Sequence, residues 1–238
     1  MEFERPLLEG RLLRRYKRFL ADVEVPGRGE VVAHCPNPGS MATCMEEGGR
    51  VWLRETDDPS RKLAFTWELS RAGDDAMVLV NTSRANGVVE EALGAGVITE
   101  LAGYARVRRE VKYGERSRVD FLLEGEAGER CYVEVKNVTL GLGDRVSAFP
   151  DAVTTRGTRH LEELIRVVER GERAVMLFCC SRDPSREVQP ADHIDARYGQ
   201  ALRRAAGAGV EILSYRCEIN PEGVWLRERI PVVFPRDA

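Results

Sequence analysis

Three charged residues near the middle of the chain have the types and spacing of a metal-dependent hydrolytic site. Asp120 lies in one segment that alternates apolar and polar residues, and Glu134 and Lys136 lie in a second such segment. Alternation of this kind predicts half-buried strands, and the glycine-containing turn between the segments predicts a hairpin. If the turn centres on Ala127, Asp120 lies directly opposite Glu134, and Lys136 projects from the same face. Val119 then projects from the opposite face, into a core.

Two neighbouring carboxylates repel each other, and this repulsion indicates a metal site. Directly opposed residues lie about 4.5 to 5.5 Å apart, so their charges repel unless a cation or a proton lies between them. Mg²⁺ or Mn²⁺ would be suitable, because hard divalent ions prefer oxygen ligands and keep bound waters. We therefore predict Asp120, Glu134 and Lys136 as catalytic residues, with Lys136 orienting water or stabilising charge on a phosphate. The alternative is an exposed face on which Lys136 only neutralises the acids.

The basic residues are unevenly distributed and could bind the phosphates of a nucleic acid. The chain has 238 residues and a net charge of −3, yet five of the ten residues in 11–20 are basic and none is acidic. A second basic cluster lies in 106–118. Local positive surfaces of this kind can bind phosphates on an acidic protein. The alternative is that both clusters are solvated strand faces balanced by acids.

Further candidate contacts lie in a loop and at the start of a helix. Two prolines stiffen the loop at 34–40, so Asn37 and Ser40 could contact phosphate or a base, although a tight structural turn is equally consistent. Arg159 and His160 begin an amphipathic helix that could present them to a phosphate, and a solvated helix surface is the alternative for His160. The predicted nucleic-acid contacts are Arg14, Arg15, Tyr16, Lys17, His34, Asn37, Ser40, Arg116, Arg118, Arg159 and His160.

Composition and the N-terminus predict a soluble, cytoplasmic protein. The hydrophobic fraction is 43% and the charged fraction 32%, and no apolar run approaches the roughly 20 residues of a membrane span. The N-terminus has no apolar stretch typical of a secretory signal. The six cysteines form no CxxC pair, which indicates reduced and mostly buried thiols.

The elements around the site suggest two parts, with a boundary near residue 83 that divides domains 1–82 and 83–238. Predicted strands of the first part span 16–25, 30–34, 51–55, 62–69 and 77–80, which favours a five-stranded OB-fold barrel. Phe19 is predicted in the core, and whether Tyr16 is an aromatic platform for a base is left open. The second part alternates strands and helices, typical of a mixed α/β domain whose later strands are buried on both faces. Its predicted helices span 88–93, 97–104, 156–169 and 196–206. The fold class is therefore α/β, or α+β overall.

The hairpin resembles the core motif of the PD-(D/E)XK nuclease-like superfamily, in which the positions of Asp120, Glu134 and Lys136 bind metal and position water. An upstream helical acid commonly completes such a site, and Glu100 is the candidate here, with an ordinary exposed helix residue as the alternative. The resemblance thus implies Asp120, Glu134 and Glu100 as metal ligands.

Sequence blocks along nearly the whole chain resemble those of the sugar fermentation stimulation protein family. The blocks are 16–23, 34–41, 117–123, 133–140 and 149–154. The resemblance implies an N-terminal OB-fold domain, a nuclease-like C-terminal domain and DNA binding linked to regulation of maltose metabolism. Pro38 departs from the family, which usually carries threonine there, so this loop lacks that hydroxyl.

Two functions are consistent with the sequence. The first is a DNA-binding protein that is also a Mg²⁺-dependent nuclease, and the second is a non-catalytic DNA-binding regulator with a dormant site. No sequence feature separates them, because a complete acidic and lysine set permits chemistry without guaranteeing that a substrate reaches it. The strandedness of the DNA and an isologous homodimer are left open as well.

Overall fold

A closed five-stranded barrel forms the first part of the protein. The computed structural model describes residues 1–114 and 117–235. The first strands are β1 (Leu8–Tyr16), β2 (Leu20–Val25), β3 (Gly29–His34), β4 (Arg50–Glu55), β5 (Phe65–Arg71) and β6 (Met77–Leu79). Five of them close in the order β1-β2-β3-β5-β4, with β4 paired back to β1. The predicted five-stranded barrel is confirmed.

The barrel differs from the prediction in its first strand. Alternation predicts a single strand over 16–25, but the chain turns back within it, and β1 and β2 form a hairpin. Lys17 and Arg18 occupy the left-handed region, with φ of 46° and 64°. Such turns normally carry Gly, Asn or Asp, so these residues give no turn signal. Phe19 lies at this turn with 43% of its surface exposed, and its predicted core position is wrong.

The second part is a mixed α/β domain built on a six-stranded sheet. Its helices are α1 (Ala85–Gly94), α2 (Thr155–Glu169) and α3 (Asp192–Gly207), with 3₁₀ turns at Thr82–Arg84 and Thr99–Leu101. Its strands are β7 (Arg106–Tyr113), β8 (Ser117–Glu124), β9 (Arg130–Val138), β10 (Leu140–Gly143), β11 (Val146–Phe149), β12 (Arg173–Cys180), β13 (Arg182–Asp183), β14 (Glu187–Pro190), β15 (Glu211–Asn220) and β16 (Gly223–Arg229). The main sheet has the order β16-β15-β12-β9-β8-β7, and β9, β12 and β15 are parallel.

Both faces of the main sheet are covered. One face packs with α1 and with barrel residues such as Trp52 and Leu79 into a single apolar cluster. The other face packs against α2 and α3 through Leu161, Leu164 and Tyr198. The central strand β12 is therefore apolar from its second residue onward, as a strand buried on both faces should be. The prediction for the later strands is confirmed.

The helices near the boundary differ in part from the prediction. The helix at 88–93 is confirmed and begins three residues earlier, as α1. The helix at 97–104 is wrong, because only the 3₁₀ turn at Thr99–Leu101 forms before Ala102 becomes extended and Gly103 adopts φ of 89°. No helix among the described residues is long and apolar enough to cross a membrane.

A strand pair and a buried arginine join the two parts. β6, predicted as a barrel strand, lies outside the closed circuit and pairs with β5 and with β13. Arg182, on β13, is buried, donates to the carbonyl oxygens of Thr43 and Thr139 at 2.9 and 3.4 Å, and pairs with Asp74. A buried guanidinium is stable only with such partners, so it fixes the barrel against the sheet. The chain passes between the parts at Thr82–Arg84, and a domain boundary there stays a prediction.

Candidate metal centre and nucleic-acid contacts

The hairpin of β8 and β9 brings Asp120 into the pocket that also contains Glu134. Regular pairing ends with Phe121 opposite Val133, in the register that the sequence predicts. Beyond this point the Asp120 side chain replaces a strand-to-strand bond, because its Oδ2 accepts from the backbone N–H of Val135 at 2.7 Å. Asp120 is thus fixed at the end of the ladder.

An asparagine from α1 fixes the other oxygen of Asp120. Asn86 Nδ2 donates to Asp120 Oδ1 at 2.9 Å. Each carboxylate oxygen therefore has one donor and keeps further lone-pair capacity for a cation. Sequence reasoning missed Asn86, because nothing in its local pattern distinguishes it from an ordinary asparagine near a helix start.

The strand is irregular at Asp120, which corrects one predicted face. Val119 is predicted on the same face as Phe121, but it packs on the other face of the sheet together with Leu122. On the neighbouring strand Glu110 has φ of 52°, and regular pairing of β7 with β8 skips Glu110 and Asp120. A residue in the left-handed region interrupts the pleat, so strict alternation fails at this point.

Glu134 is almost fully buried, and its two oxygens have different surroundings. Oε1 accepts from Lys136 Nζ at 2.6 Å and contacts Nδ1 of His160. Oε2 is buried and has no hydrogen-bond partner among the described residues. A buried carboxylate oxygen without a donor costs free energy unless a positive charge lies beside it. Oε2 is therefore the position at which a cation would be most strongly stabilised.

His160 is buried against Glu134, and Arg156 determines which of its ring nitrogens carries the proton. Arg156 Nε donates to His160 Nε2 at 3.2 Å, and a guanidinium has no acceptor. Nε2 is therefore the accepting nitrogen, and Nδ1–H faces Glu134. Because His160 is only 3% exposed, the alternative of a solvated helix surface does not hold.

The two carboxylates have opposite pKa shifts. Burial and the charge of Glu134 raise the pKa of Asp120, against the hydrogen bonds that it accepts. Burial also acts to raise the pKa of Glu134, but the bond from His160 and the charge of Lys136 outweigh it, and that pKa is lowered. Asp120 therefore holds its proton more strongly than a free aspartic acid does, and Glu134 holds its proton less strongly than a free glutamic acid does. A divalent cation between the two carboxylates would offset the repulsion between their charges.

The pocket has the chemistry of a hard-metal site. It occupies about 230 Å³ between the 3₁₀ turn before α1, the end of β9 and the start of α2. Two carboxylates line it, and one of their oxygens has no donor, which fits a Mg²⁺-like ion that keeps several waters. The described part of the chain has no group of three or more His, Cys, Asp or Glu side chains suited to a metal. Asp120 and Glu134 would be the carboxylate ligands.

Glu100, the predicted third ligand, lies outside this group. Its carboxylate accepts from the Tyr215 hydroxyl at 2.5 Å and pairs with Arg229 at 3.0 Å. These partners lie on β15 and β16, and Glu100 does not line the pocket. The structure does not bring it to the two carboxylates, and Asn86 is the residue from the α1 region that contacts Asp120.

Several predicted nucleic-acid contacts on the barrel have partners within the protein. Arg14 and Tyr16 bond to the buried Asp22 at 2.7 and 3.0 Å, although the Arg14 side chain remains 65% exposed. Arg15 donates to three carbonyl oxygens of the loop that begins at His34, at 2.9 to 3.2 Å. These bonds hold the β1–β2 turn against that loop.

The loop contains one buried and two more accessible candidates. Asn37 is buried, with Nδ2 donating to the Val80 carbonyl at 3.1 Å and Oδ1 accepting from Gly39 N–H at 2.9 Å. Its side-chain amide therefore stabilises the loop, as expected if the loop is a tight structural turn. Ser40 is exposed and His34 is half-buried. Their predicted contacts with nucleic acid stay predictions.

The remaining candidates include exposed basic side chains. Lys17, Arg118 and Arg159 are exposed, and none has an acidic partner in the described part of the chain. Arg116 lies outside the described residues. These positions are accessible to phosphate, and their role stays a prediction.

A second, open pocket of about 530 Å³ adjoins the first at the start of α2. Arg156 lines both pockets, and Arg159 and Arg197 line the second. Glu162 and Asp195 also lie there, and Asp195 is buried and bonded to backbone amides. The three guanidinium groups form a basic surface that is continuous with the pocket of Asp120 and Glu134, which we call the acidic pocket. Sequence reasoning missed Arg197, because it comes from α3 and no local pattern links it to α2.

The protein has a closed barrel followed by a mixed α/β domain, and two carboxylates and a lysine lie at the end of a hairpin in that domain. This combination defines the class: an N-terminal barrel joined to a nuclease-like domain. Family models agree with both parts. The SfsA N-terminal OB domain matches residues 13–80, and the sugar fermentation stimulation protein RE domain matches residues 83–223. The chain belongs to the sugar fermentation stimulation protein family, and the predicted fold class is confirmed.

Similarity to individual proteins extends over the whole chain. The sugar fermentation stimulation protein homolog of Pseudomonas paraeruginosa is 56% identical over 234 residues, which cover 98% of this chain and 99% of the relative. The homolog of Thioalkalivibrio sulfidiphilus is 53% identical over 237 residues and covers 99% of both chains. The structure of Pyrococcus furiosus SfsA in complex with Ca²⁺ has 26% identity and a TM-score of 0.87, with 98% of each chain covered.

Proposed function

We propose that this protein binds DNA in the cytoplasm and hydrolyses phosphodiester bonds with Mg²⁺ or Mn²⁺. The observation that carries the proposal is the buried Glu134 Oε2, which has no donor within residues 1–114 and 117–235 and belongs to a residue that shares a pocket with Asp120. A buried carboxylate beside a half-buried one is costly without a cation, and a bound divalent ion explains the pair. The Ca²⁺ in Pyrococcus furiosus SfsA, a hard ion that prefers oxygen ligands, supports this choice.

The residues of the pocket have separate tasks. Asp120 and Glu134 would hold the metal, which would lower the pKa of water and neutralise charge on the phosphate. Two hydrogen bonds fix Asp120, and Lys136 and His160 fix Oε1 of Glu134. This arrangement leaves Oε2 for the cation, so the ligands are preorganised before it binds.

Lys136 is the group best placed to assist attack on phosphorus. Its Nζ donates to Glu134, and its side chain is 13% exposed at the pocket. An ammonium group there would orient the attacking water and stabilise the charge that develops on the phosphate. His160 would keep Glu134 bonded while Lys136 turns toward the substrate.

Basic residues beside the pocket would bind the flanking phosphates. Arg156, Arg159 and Arg197 form a surface continuous with the acidic pocket, and Lys17 adds an exposed charge on the barrel. Contacts of this kind position the backbone, and they make binding dependent on salt.

A non-catalytic DNA-binding regulator is the second candidate, and one observation favours it. Glu100 is bonded elsewhere, so two carboxylates are present where many nuclease-like sites have three. This candidate predicts salt-sensitive DNA binding without turnover.

The test is cleavage of labelled single- and double-stranded DNA and RNA with Mg²⁺ or Mn²⁺. We expect the wild type to cleave, Asp120→Asn and Glu134→Gln to lose cleavage while still binding, and chelator to abolish it. Glu126→Gln, in the exposed turn of the same hairpin, is the matched control and should cleave normally. Binding by all proteins with no cleavage by any would support the regulator, and unchanged cleavage by either site variant would contradict the assignment.

A further inference from the structure

Asn137 has an amide nitrogen that is buried without a partner. The residue follows Lys136 at the end of β9 and lines the acidic pocket. Its Oδ1 accepts from the Ser181 hydroxyl at 2.5 Å, whereas its Nδ2 has no hydrogen-bond partner among the described residues. A buried donor without an acceptor costs free energy comparable to a lost hydrogen bond, so a ligand would explain its position.

The contact with Ser181 determines the orientation of the amide. A separation of 2.5 Å fits an O–H···O bond and is shorter than N–H···O bonds, which begin at about 2.7 Å. Oδ1 is therefore the atom beside Ser181, and Nδ2 is the amide atom that has no hydrogen-bond partner among the described residues. Ser181 is itself fixed, since its backbone N–H donates to the Val138 carbonyl at 2.8 Å.

Three other side chains of the pocket each use a nitrogen within the site. Asn86, Lys136 and Arg156 each donate to a neighbouring residue of the site. In the part of the chain that the structure describes, Asn137 has a donor without a partner, and Glu134 has an acceptor without one. Two unsatisfied groups of opposite polarity in one pocket match a ligand pair that consists of a cation and an anionic oxygen.

We propose that Asn137 Nδ2 binds a non-bridging oxygen of the phosphodiester beside the metal, which makes Asn137 a substrate-binding residue. This inference rests on the proposed function, because it places a phosphate next to the cation. Phosphate oxygens only accept, so they complement a fixed N–H donor, and hydrogen bonds to a charged oxygen are stronger than neutral ones. Because the contact is to the phosphate backbone of the nucleic acid, it discriminates little between bases.

Two variants and a small probe isolate this contact. Asn137→Asp keeps the shape and an oxygen for Ser181 but replaces the donor by an acceptor, and Asn137→Ala removes the whole amide. Gln200→Ala removes an exposed amide on α3 and is the matched control. The probe is the dinucleotide thymidylyl-(3′,5′)-thymidine, added with Ca²⁺, and its affinity is measured by NMR titration. In the wild type, the side-chain amide signal of Asn137 is followed in the same titration.

We expect the Asn137 amide signal to shift on titration and both Asn137 variants to bind the dinucleotide about tenfold more weakly or worse. Gln200→Ala should bind normally, and Asn137→Ala should retain wild-type affinity for Mn²⁺. Circular dichroism checks that the variants fold, and the isosteric Asn137→Asp provides the test if the alanine variant does not.

The outcomes separate this inference from the proposed function. Equal dinucleotide affinity in the wild type and both Asn137 variants would overturn the inference, whether or not the protein cleaves DNA. The same holds if the wild type binds no dinucleotide. Weaker binding by the variants, together with no cleavage by the wild type, would support the Asn137 contact and contradict the nuclease.

Discussion

Asp120 is a half-buried carboxylate beside the buried Glu134, so the metal-free protein contains a destabilising charge. Burial and Glu134 raise its pKa in the folded state. Such an acid binds its proton more tightly when folded, so stability falls as pH rises from its unfolded pKa through its folded pKa. Asp120→Asn should therefore raise the Tm of the metal-free protein at neutral pH, by about 2–4 °C for each kcal/mol of repulsion removed.

Thermal unfolding in chelator measures this effect. The advantage of Asp120→Asn should disappear below the unfolded pKa of about 3.9, where the wild-type carboxyl is protonated. With saturating Mn²⁺ the order should reverse, because the wild type gains stability from the bound ion. Glu126→Gln controls for the loss of a charge from the same hairpin. A lower Tm for Asp120→Asn in chelator at neutral pH would contradict the proposed repulsion.

His160 positions Glu134 for the metal through its Nδ1–H donor. His160→Leu removes that donor and should weaken Mn²⁺ affinity by about 10- to 100-fold, the usual effect of losing a hydrogen-bond partner of a metal ligand. His160→Asn should recover most of the affinity, because its amide nitrogen can replace Nδ1. Calorimetric titration measures the affinities, with the exposed His193→Leu as control. Equal affinity in His160→Leu and the wild type would show that the contact has no role in positioning.

The site could be predicted where it depends on local spacing. Asp120, Glu134 and Lys136 emerge from alternation along two strands, since alternate residues share a face. Asn86 and Arg156 could not be predicted in the same way, because helices distant in sequence supply them. Their roles depend on packing that no local pattern encodes.

Among the elements, α2 supplies both Arg156 and His160, so its first turn must be fixed. Thr154 is its N-cap, and Oγ1 accepts from the Gly157 N–H at 3.0 Å. Thr154→Ala should lower the free energy of unfolding by about 1 kcal/mol, whereas Thr154→Ser should retain most of it. Urea unfolding measures both variants. The prediction fails if the alanine variant has the wild-type midpoint and slope.

The elements were predictable to different degrees. The turn at Ala127 predicts the hairpin register, which agrees with the structure from Phe121 to Glu124, whereas apolar alternation fails at Val119. The turn at Lys17 and Arg18 was hidden, because tertiary contacts impose left-handed backbone on residues that rarely adopt it. The Arg15 bonds to the neighbouring loop are such contacts.

Across the whole molecule, a buried carboxylate ties the barrel to the second domain. Glu68, on β5, is fully buried and accepts from Arg54, Arg84 and Asn81 at 2.6 to 3.0 Å. Arg84 lies at the end of the 3₁₀ turn that leads into α1. Glu68→Gln should lower the free energy of unfolding by roughly 3 kcal/mol, because two half-buried guanidinium groups lose the counter-charge of a fully buried carboxylate.

The same residue predicts a pH dependence. Burial acts to raise the pKa of Glu68, but Arg84, with Arg54 and Asn81, outweighs it and lowers that pKa. Its stabilisation is therefore present above the unfolded pKa of about 4.3 and is lost as pH falls through the folded value. Urea unfolding from neutral pH into this range should show a steeper loss for the wild type than for Glu68→Gln, with exposed Glu222→Gln as control. Parallel pH curves would contradict this account.

The two-part organisation was predictable from the change of pattern near residue 83, but the contacts between the parts were not. Arg182 and its partner Asp74 are 108 residues apart, and β6 and β13 pair across the same gap. Such contacts exist only once both parts are folded. They bring the barrel against the domain that contains the acidic pocket.

The central claim is that Asp120 and Glu134 together bind one divalent ion. The most direct measurement is Mn²⁺ titration followed by electron paramagnetic resonance, with wild type, Asp120→Asn, Glu134→Gln and the control Glu126→Gln. We predict one bound ion per chain in the wild type and control, displaced by Mg²⁺, and loss of that ion in both site variants. Unchanged Mn²⁺ binding in either site variant, or no binding by the wild type, would contradict the account.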